Sequence, residues 1–190
     1  MRLLFAIDIP LQFKAGNQTK LFYDKNNKTL REIIQSDRYK SLQEEVQKNY
    51  SVYFDKKIGD FLKYLDETGN DFYKKFLNRH GDETYSIFLL KNLEHHLLRG
   101  VYCFYLDGEL KYIGRCRDMM KKCINNGYGK ITPTNCFKHG QSTNCKVNAL
   151  ITKYGQRVTL KLIPMKSIKK IEKLEKRLIR ILKPEWNNRL

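Results

Sequence analysis

The chain has 190 residues and 41% of them are hydrophobic, enough for one domain with a packed core or a small domain plus an accessory region. Its 37 lysines and arginines against 20 acidic residues give a net charge of +17, which favours a polyanionic partner, most often nucleic acid, over an acidic or neutral one. No run is long and apolar enough to cross a membrane, and no long amphipathic helix sets aromatics opposite lysines, so the expectation is no membrane partner.

Residues 2–9 read as a strand. Asp8 interrupts the apolar N-terminus and no small-residue cleavage site follows, so we expect a buried strand rather than a signal peptide, with the cytoplasm as the default location. The chain turns polar from Gln12 to Gln18, and Leu21-Phe22-Tyr23 reads as a second short strand. A charged helix is predicted over Thr29 to Asn49, with others over Ile58 to Leu65 and Asp71 to Leu77. Their apolar stripes are narrow and carry no catalytic motif. Glu83 to Arg99 is a strand or a helix. His80, His95 and His96 read as surface or packing residues, because adjacent histidines on a helix point apart. Residues 1–98 thus form a largely helical N-terminal accessory region.

Residues 99–190 hold more signal. Gly100-Val101-Tyr102 and Tyr112-Ile113-Gly114 flank Asp107-Gly108, a strong hairpin signal between runs rich in β-branched and aromatic residues. A regular two-residue turn would set Tyr102 opposite Ile113, on the face away from Tyr112. A longer turn or a bulge would bring both rings to one face. A site shared by both tyrosines therefore predicts the longer turn or the bulge.

A short helix from Met119 to about Asn125 follows, with Asp118 as N-cap and Gly127 at its end. Asn135 to Asn144 is polar and loop-like, Cys145 to Tyr154 suits a helix, and Arg157 to Ile163 alternates as a strand. Five cysteines without an export signal favour reduced thiols. Cys136, His139 and Cys145 cluster, but their spacing matches no familiar zinc pattern.

The last helix starts after Ser167. At about 100° per residue, Ile168, Ile171, Leu174, Leu178, Ile179, Ile181 and Leu182 fall on one face and lysines and arginines on the other. Glu175 breaks the rule, since it lies within the apolar stripe. A carboxylate there must be hydrogen-bonded, metal-bound or paired, the structural alternative being a core arginine.

The paired Gly/Tyr triplets resemble the signature of the GIY-YIG nuclease superfamily. A second match lies in the tail: Leu174-Glu175, Leu178-Ile179, Lys183-Pro184 and Trp186-Asn187 resemble the closing motif of members such as the excision-repair incision subunit. The segments YIGRC, GYGKI, GQSTNC and VNALI look like restriction-type and uncharacterised prokaryotic members. The resemblance covers about the last half of the chain. It implies an α+β fold (an α/β sandwich) with a small antiparallel three-stranded sheet flanked by helices.

It also implies an endonuclease that hydrolyses phosphodiester bonds of double-stranded DNA with one divalent metal, Mg2+ or Mn2+, in restriction or defence. Glu175 would ligate the metal, Tyr102 or Tyr112 would steer or deprotonate the attacking water, and Asn187 would help close the site. His139 is an alternative base. The family's first-helix arginine aligns here with Cys123, so Lys122, Arg115 or Arg117 would have to meet the phosphate. That departure keeps open a non-catalytic nucleic-acid-binding protein of the same fold, and RNA as the partner. Restriction-type cutting of both strands would favour a homodimer.

Overall fold

Asp107 and Gly108 both adopt left-handed backbone (φ 50° and 83°), the conformation a two-residue hairpin turn requires. The computed structural model, which describes residues 6–187, builds outward from this turn. Its elements in chain order are β1 (Ile7–Ile9), β2 (Leu11–Gln18), α1 (Leu30–Ile34), α2 (Gln43–Tyr50), α3 (Ile58–Glu67), β3 (Tyr85–Leu90), β4 (Gly100–Leu106) and β5 (Glu109–Cys116). Then come α4 (Met120–Cys123), a π-helical turn (Ile124–Tyr128), α5 (Pro133–Cys136), α6 (Ser142–Tyr154), β6 (Val158–Pro164) and α7 (Ile168–Leu182). The fold is mixed α+β with antiparallel sheets.

Contacts divide the chain into two compact units, neither of them continuous. The first takes in the described residues of 1–17, 86–130 and 150–190; the second takes in 18–85 and 131–149. A single boundary between 98 and 99 does not describe this division. Residues 6–17 and 86–98 belong with the C-terminal elements, and 131–149 with the helical segment.

In the first unit, four strands run in the order β1-β6-β4-β5, so the central sheet has four strands where three were expected. The extra strand is β1, which pairs antiparallel with β6 (Ile7 with Leu162, Ile9 with Leu160) on the edge of β6 that faces away from β4. Residues 1–5 of the expected strand lie outside the described residues. The β4–β5 ladder pairs Tyr102 with Gly114 and Phe104 with Tyr112, then shifts so that Tyr105 meets Leu110. Lys111 is the extra residue, a β-bulge beside a two-residue turn.

The bulge sets the faces of the hairpin. Val101, Cys103, Tyr105 and Ile113 turn to one side, where Ile171 and Leu178 of α7 pack on them. Tyr102, Phe104 and Tyr112 turn to the other. Ser167 caps α7 by accepting from the Lys170 amide. Ile168 and Ile181, expected on the buried stripe, are exposed at 43% and 58%, because at about 100° per residue they fall on its two margins, while Ile171, Leu174, Leu178 and Leu182 face the sheet. Cys116, the last residue of β5, is joined by a disulfide to Cys123. These two were expected as free thiols; their Cα atoms lie 6.0 Å apart, within disulfide reach. Strands β2 and β3 form a separate two-stranded sheet, so the polar stretch after Pro10 is a strand rather than a turn.

The second unit is built on buried Phe22, Leu30, Tyr39, Val46, Phe61, Phe76 and Phe137. Leu21–Asp24 is a 3-10 turn and not a strand. The single helix expected over 29–49 is broken: Thr29 and Glu32 form a capping box that starts α1, a 3-10 segment spans Asp37–Leu42, and α2 follows. Cys136 and Cys145 are buried free cysteines in this unit.

Candidate functional site

The face of the hairpin away from α7 gathers three tyrosines. Tyr102 comes from β4, Tyr112 from β5, and Tyr128 from the last position of the π-helical turn. The Tyr102 hydroxyl donates to the Tyr128 oxygen at 2.9 Å, and the Tyr112 and Tyr128 hydroxyls are 3.0 Å apart. Their ring centroids are 6.0 to 6.4 Å apart, and all three residues are buried. Gly114 makes the arrangement fit. A Cβ there would lie 2.4 Å from both Cζ and Oη of Tyr102, so the Tyr102 ring occupies the volume a side chain would need.

Burial pushes the Tyr102 hydroxyl well above its ordinary pKa, with Tyr128, Tyr112 and the negative charge of Glu175 acting in the same sense. Tyr112 is raised for the same reasons, burial first. Both rings are therefore neutral hydrogen-bonding groups at physiological pH. That favours steering of a water or phosphate oxygen over proton abstraction.

Tyr128 was not among the residues singled out from sequence. The wide turn that carries it follows only four residues of α-helix, and such turns recur at functional sites. A weak signal was present: Tyr128 is the one aromatic in Asn125 to Lys130, between Gly127 and Gly129.

Glu175 lies on α7, at the α7 side of β5. Its Oε2 accepts from Arg115 at 2.7 Å; the two side chains are 14% and 31% exposed. Alternation along β5 places Arg115 on the same face as Ile113, away from the tyrosine rings. Even so, the Glu175 charge acts on both Tyr102 and Tyr112. The site is thus two clusters joined through β5: three hydroxyls on one side, and an arginine–carboxylate pair on the other. Arg117 repeats the pairing one step outward, with Glu172 at 2.7 Å.

The remaining expected site residues scatter. Asn187 sits at the edge of β5, where its side chain bonds both backbone groups of Ile113, at 2.7 and 2.8 Å. Lys122 is exposed and paired with Asp118. His139 belongs to the second unit, where its Nδ1 is 3.4 Å from the Tyr39 hydroxyl. Burial lowers its pKa, and the charges of Lys25, Arg38 and Lys28 lower it further.

Among the described residues, no group of three or more histidines, cysteines, aspartates or glutamates is placed to hold a metal ion. Any metal at this site would rest on Glu175 alone, a donor set that Mg2+ accepts when waters complete its octahedral shell. Among the described residues, no helix is long and apolar enough to cross a membrane. No known protein family, curated protein or solved structure matches the chain.

Proposed function

We propose that the protein is a divalent-metal-dependent endonuclease of the GIY-YIG kind, hydrolysing phosphodiester bonds of double-stranded DNA in a restriction or defence role in the cytoplasm. The observation that carries this reading is the convergence of the Tyr102, Tyr112 and Tyr128 hydroxyls on one face of the hairpin, with the Glu175 charge acting on Tyr102 and Tyr112. The order of elements from β4 to α7 supports it, as does the excess of positive charge.

In this reading Tyr102, whose one O–H proton goes to Tyr128, orients the attacking water by accepting from it, and the hydroxyl at the free end of the Tyr102–Tyr128–Tyr112 chain donates to a phosphate oxygen. Arg115 is the cation nearest the acid. Because β5 is an edge strand, Arg115 would meet the phosphate round that edge, exchanging its bond to Glu175 for the phosphate oxygens and standing in for the arginine that the first helix lacks. Glu175 would hold Mg2+ or Mn2+ through its carboxylate, and the bound cation would polarise the scissile group and stabilise the leaving oxygen. Cutting both strands calls for two active sites, hence a homodimer on the DNA.

The test is cleavage of supercoiled plasmid with Mg2+ by the wild type and by Glu175→Gln, with circular dichroism as a check on folding. The expected result is nicking by the wild type, and by the variant a loss of about a hundredfold or more with DNA binding retained. A second reading, a non-catalytic nucleic-acid-binding protein of the same fold, is favoured by the Arg115–Glu175 ion pair, which already satisfies the acid. A wild type that shifts duplex DNA in a gel and never nicks it establishes that second reading, and preference for RNA at matched salt would change the partner.

A further inference from the structure

The second unit holds a cation that the cleavage reading does not use. Lys25 is 5% exposed, the one buried lysine or arginine among the described residues. A buried ammonium is costly unless a counter-charge or several acceptors meet it. Lys25 has neither. Its Nζ is 3.4 Å from the Thr134 hydroxyl oxygen, a long contact, and 5.3 Å from the Phe137 ring centre. It forms no ion pair among the described residues, although Asp24 is its neighbour in sequence.

Phe137 leads to further cations. Its ring centre is 5.8 Å from that of His139, whose Nδ1 is 3.4 Å from the Tyr39 hydroxyl, and Lys138 Nζ stands 5.9 Å from the Tyr39 ring centre. Lys28, Arg38 and Lys138 are exposed, and none is in an ion pair among the described residues. The charges that act on Lys25 and His139 come from Lys25, Lys28 and Arg38, all positive, and they push both pKa values down together with burial. Glu32 carries a negative charge within reach of Lys28 but is tied to the Thr29 cap, and the region around Lys25 and His139 is net positive, seated on Phe137 and Tyr39.

We propose that Lys25, Lys28, Arg38, Lys138 and His139 form a phosphoryl-binding site on the second unit. A phosphoryl group matches the cluster better than a carboxylate does. It carries up to two negative charges and several acceptor oxygens in a compact tetrahedron, so it can meet several N–H donors at once. Its charge offsets the cost of burying Lys25, which the protein alone leaves uncompensated. The site lies wholly within the second unit and does not depend on the cleavage reading.

The test uses the full-length protein, with thermal unfolding followed as inorganic phosphate replaces chloride at constant ionic strength. A ligand that binds only the folded state raises the melting temperature, the stabilisation growing as the logarithm of one plus the ratio of free ligand concentration to Kd. The wild type should be stabilised by phosphate beyond chloride, and Lys25→Met should bind phosphate about tenfold more weakly, the effect of one charge-assisted hydrogen bond. The double variant Lys28→Ala, Lys138→Ala changes only exposed side chains and should weaken phosphate similarly, which keeps the test decisive if Lys25→Met fails to fold. A short duplex DNA titrated into the same variants separates the sources. Parallel loss of DNA affinity assigns the site to backbone phosphate, and loss for phosphate alone assigns it to a free phosphate or monoester. A wild type that responds to phosphate no more than to chloride overturns the proposal. So do variants that all keep the wild-type phosphate response.

Discussion

Asn187 completes the free edge of β5 at Ile113, its Oδ1 accepting from the Ile113 N–H at 2.7 Å and its Nδ2 donating to the Ile113 carbonyl at 2.8 Å. One side-chain amide thus supplies the donor and acceptor that a neighbouring strand would have supplied. It does so one residue from both Tyr112 and Gly114. Asn187→Ala should cost about 1–3 kcal/mol, two net hydrogen bonds at a partly buried edge. Asn187→Asp should cost at least as much, because it sets an oxygen against the Ile113 carbonyl. Denaturant unfolding measures the cost, and faster exchange of the Ile113 amide would locate it. Unchanged stability and exchange in both variants would show that the edge needs no such clamp.

Gly114 and Tyr102 share one volume. Gly114→Ala places a methyl 2.4 Å from Tyr102 Cζ and Oη, a distance no packing tolerates, so the Tyr102 ring must swing away from Tyr128. The expected cost is about 1–3 kcal/mol, as for other overpacked sites. Any activity carried by the three hydroxyls should fall with it. In a Tyr102→Ala background, already destabilised by the cavity it leaves, the clash is gone, so adding Gly114→Ala should cost little more. That non-additivity would show that Gly114 acts by leaving room for the Tyr102 ring.

What could be read in the sequence follows from how local each signal is. Asp107-Gly108 specifies its turn through two left-handed residues, and the bulge at Lys111 follows from requiring both tyrosines on one face. The last helix is legible because it is long, capped at Ser167 and strongly periodic. Glu175 stood out because a carboxylate in its stripe needs a partner, but the pattern left open which one, and the structure supplies Arg115. Non-local features were hidden. Nothing in Ile7–Ile9 names β6 as its partner, β2 is too exposed to alternate, and the position of Tyr128 depends on a wide turn that periodicity does not encode.

The buried tyrosines make stability depend on alkaline pH. Tyr102 and Tyr112 are held above the ordinary value of 10.0. As pH rises past that value, the unfolded chain releases these protons while the folded chain keeps them, so the folded state loses stability. Below it both states are protonated and the contribution is complete. Each such tyrosine should lower the unfolding free energy by about 1.4 kcal/mol per pH unit above roughly pH 10. Urea unfolding at about pH 9 and about pH 11 checks this, and Tyr102→Phe should flatten the dependence. An equal fall in wild type and variant would mean that other groups carry it.

The Cys116–Cys123 disulfide ties the end of β5 to the short helix just before the turn that bears Tyr128. A loop this short, cross-linked in the unfolded chain, contributes about 2.5 kcal/mol in the chain-entropy account. Cys123→Ser, or reduction by a dithiol, should cost about that much and release the π-helical turn. The Tyr102 and Tyr112 hydroxyls would then lose their shared partner and titrate closer to the ordinary value, as ultraviolet titration would report. In a reducing cytoplasm the bond would be open to reduction, so the nicking rate with and without dithiol belongs in the same experiment. Identical titration curves for oxidised and reduced protein would place the order of Tyr128 elsewhere.

The outer face of α7 decides how the protein meets a polyanion. Its two acids turn inward: Glu175 onto Arg115 and Glu172 onto Arg117. Lys169, Lys170, Lys173, Lys176, Arg177 and Arg180 are exposed and form no ion pair among the described residues. The acids cancel charge on the β5 side, and the cations keep theirs on the solvent side. Those at 169, 173, 176 and 180 lie along one stripe, rising about 1.5 Å per residue. If this stripe tracks a duplex backbone, each Lys→Ala change along it should reduce the slope of log affinity against log salt by about 1. Lys48→Ala, an exposed lysine of the second unit, should leave the slope unchanged and serves as the control. Gel-shift titrations at several salt concentrations measure both. Equal slopes for the stripe variants and the control would move the nucleic-acid surface off α7 while leaving the hydroxyl cluster untouched.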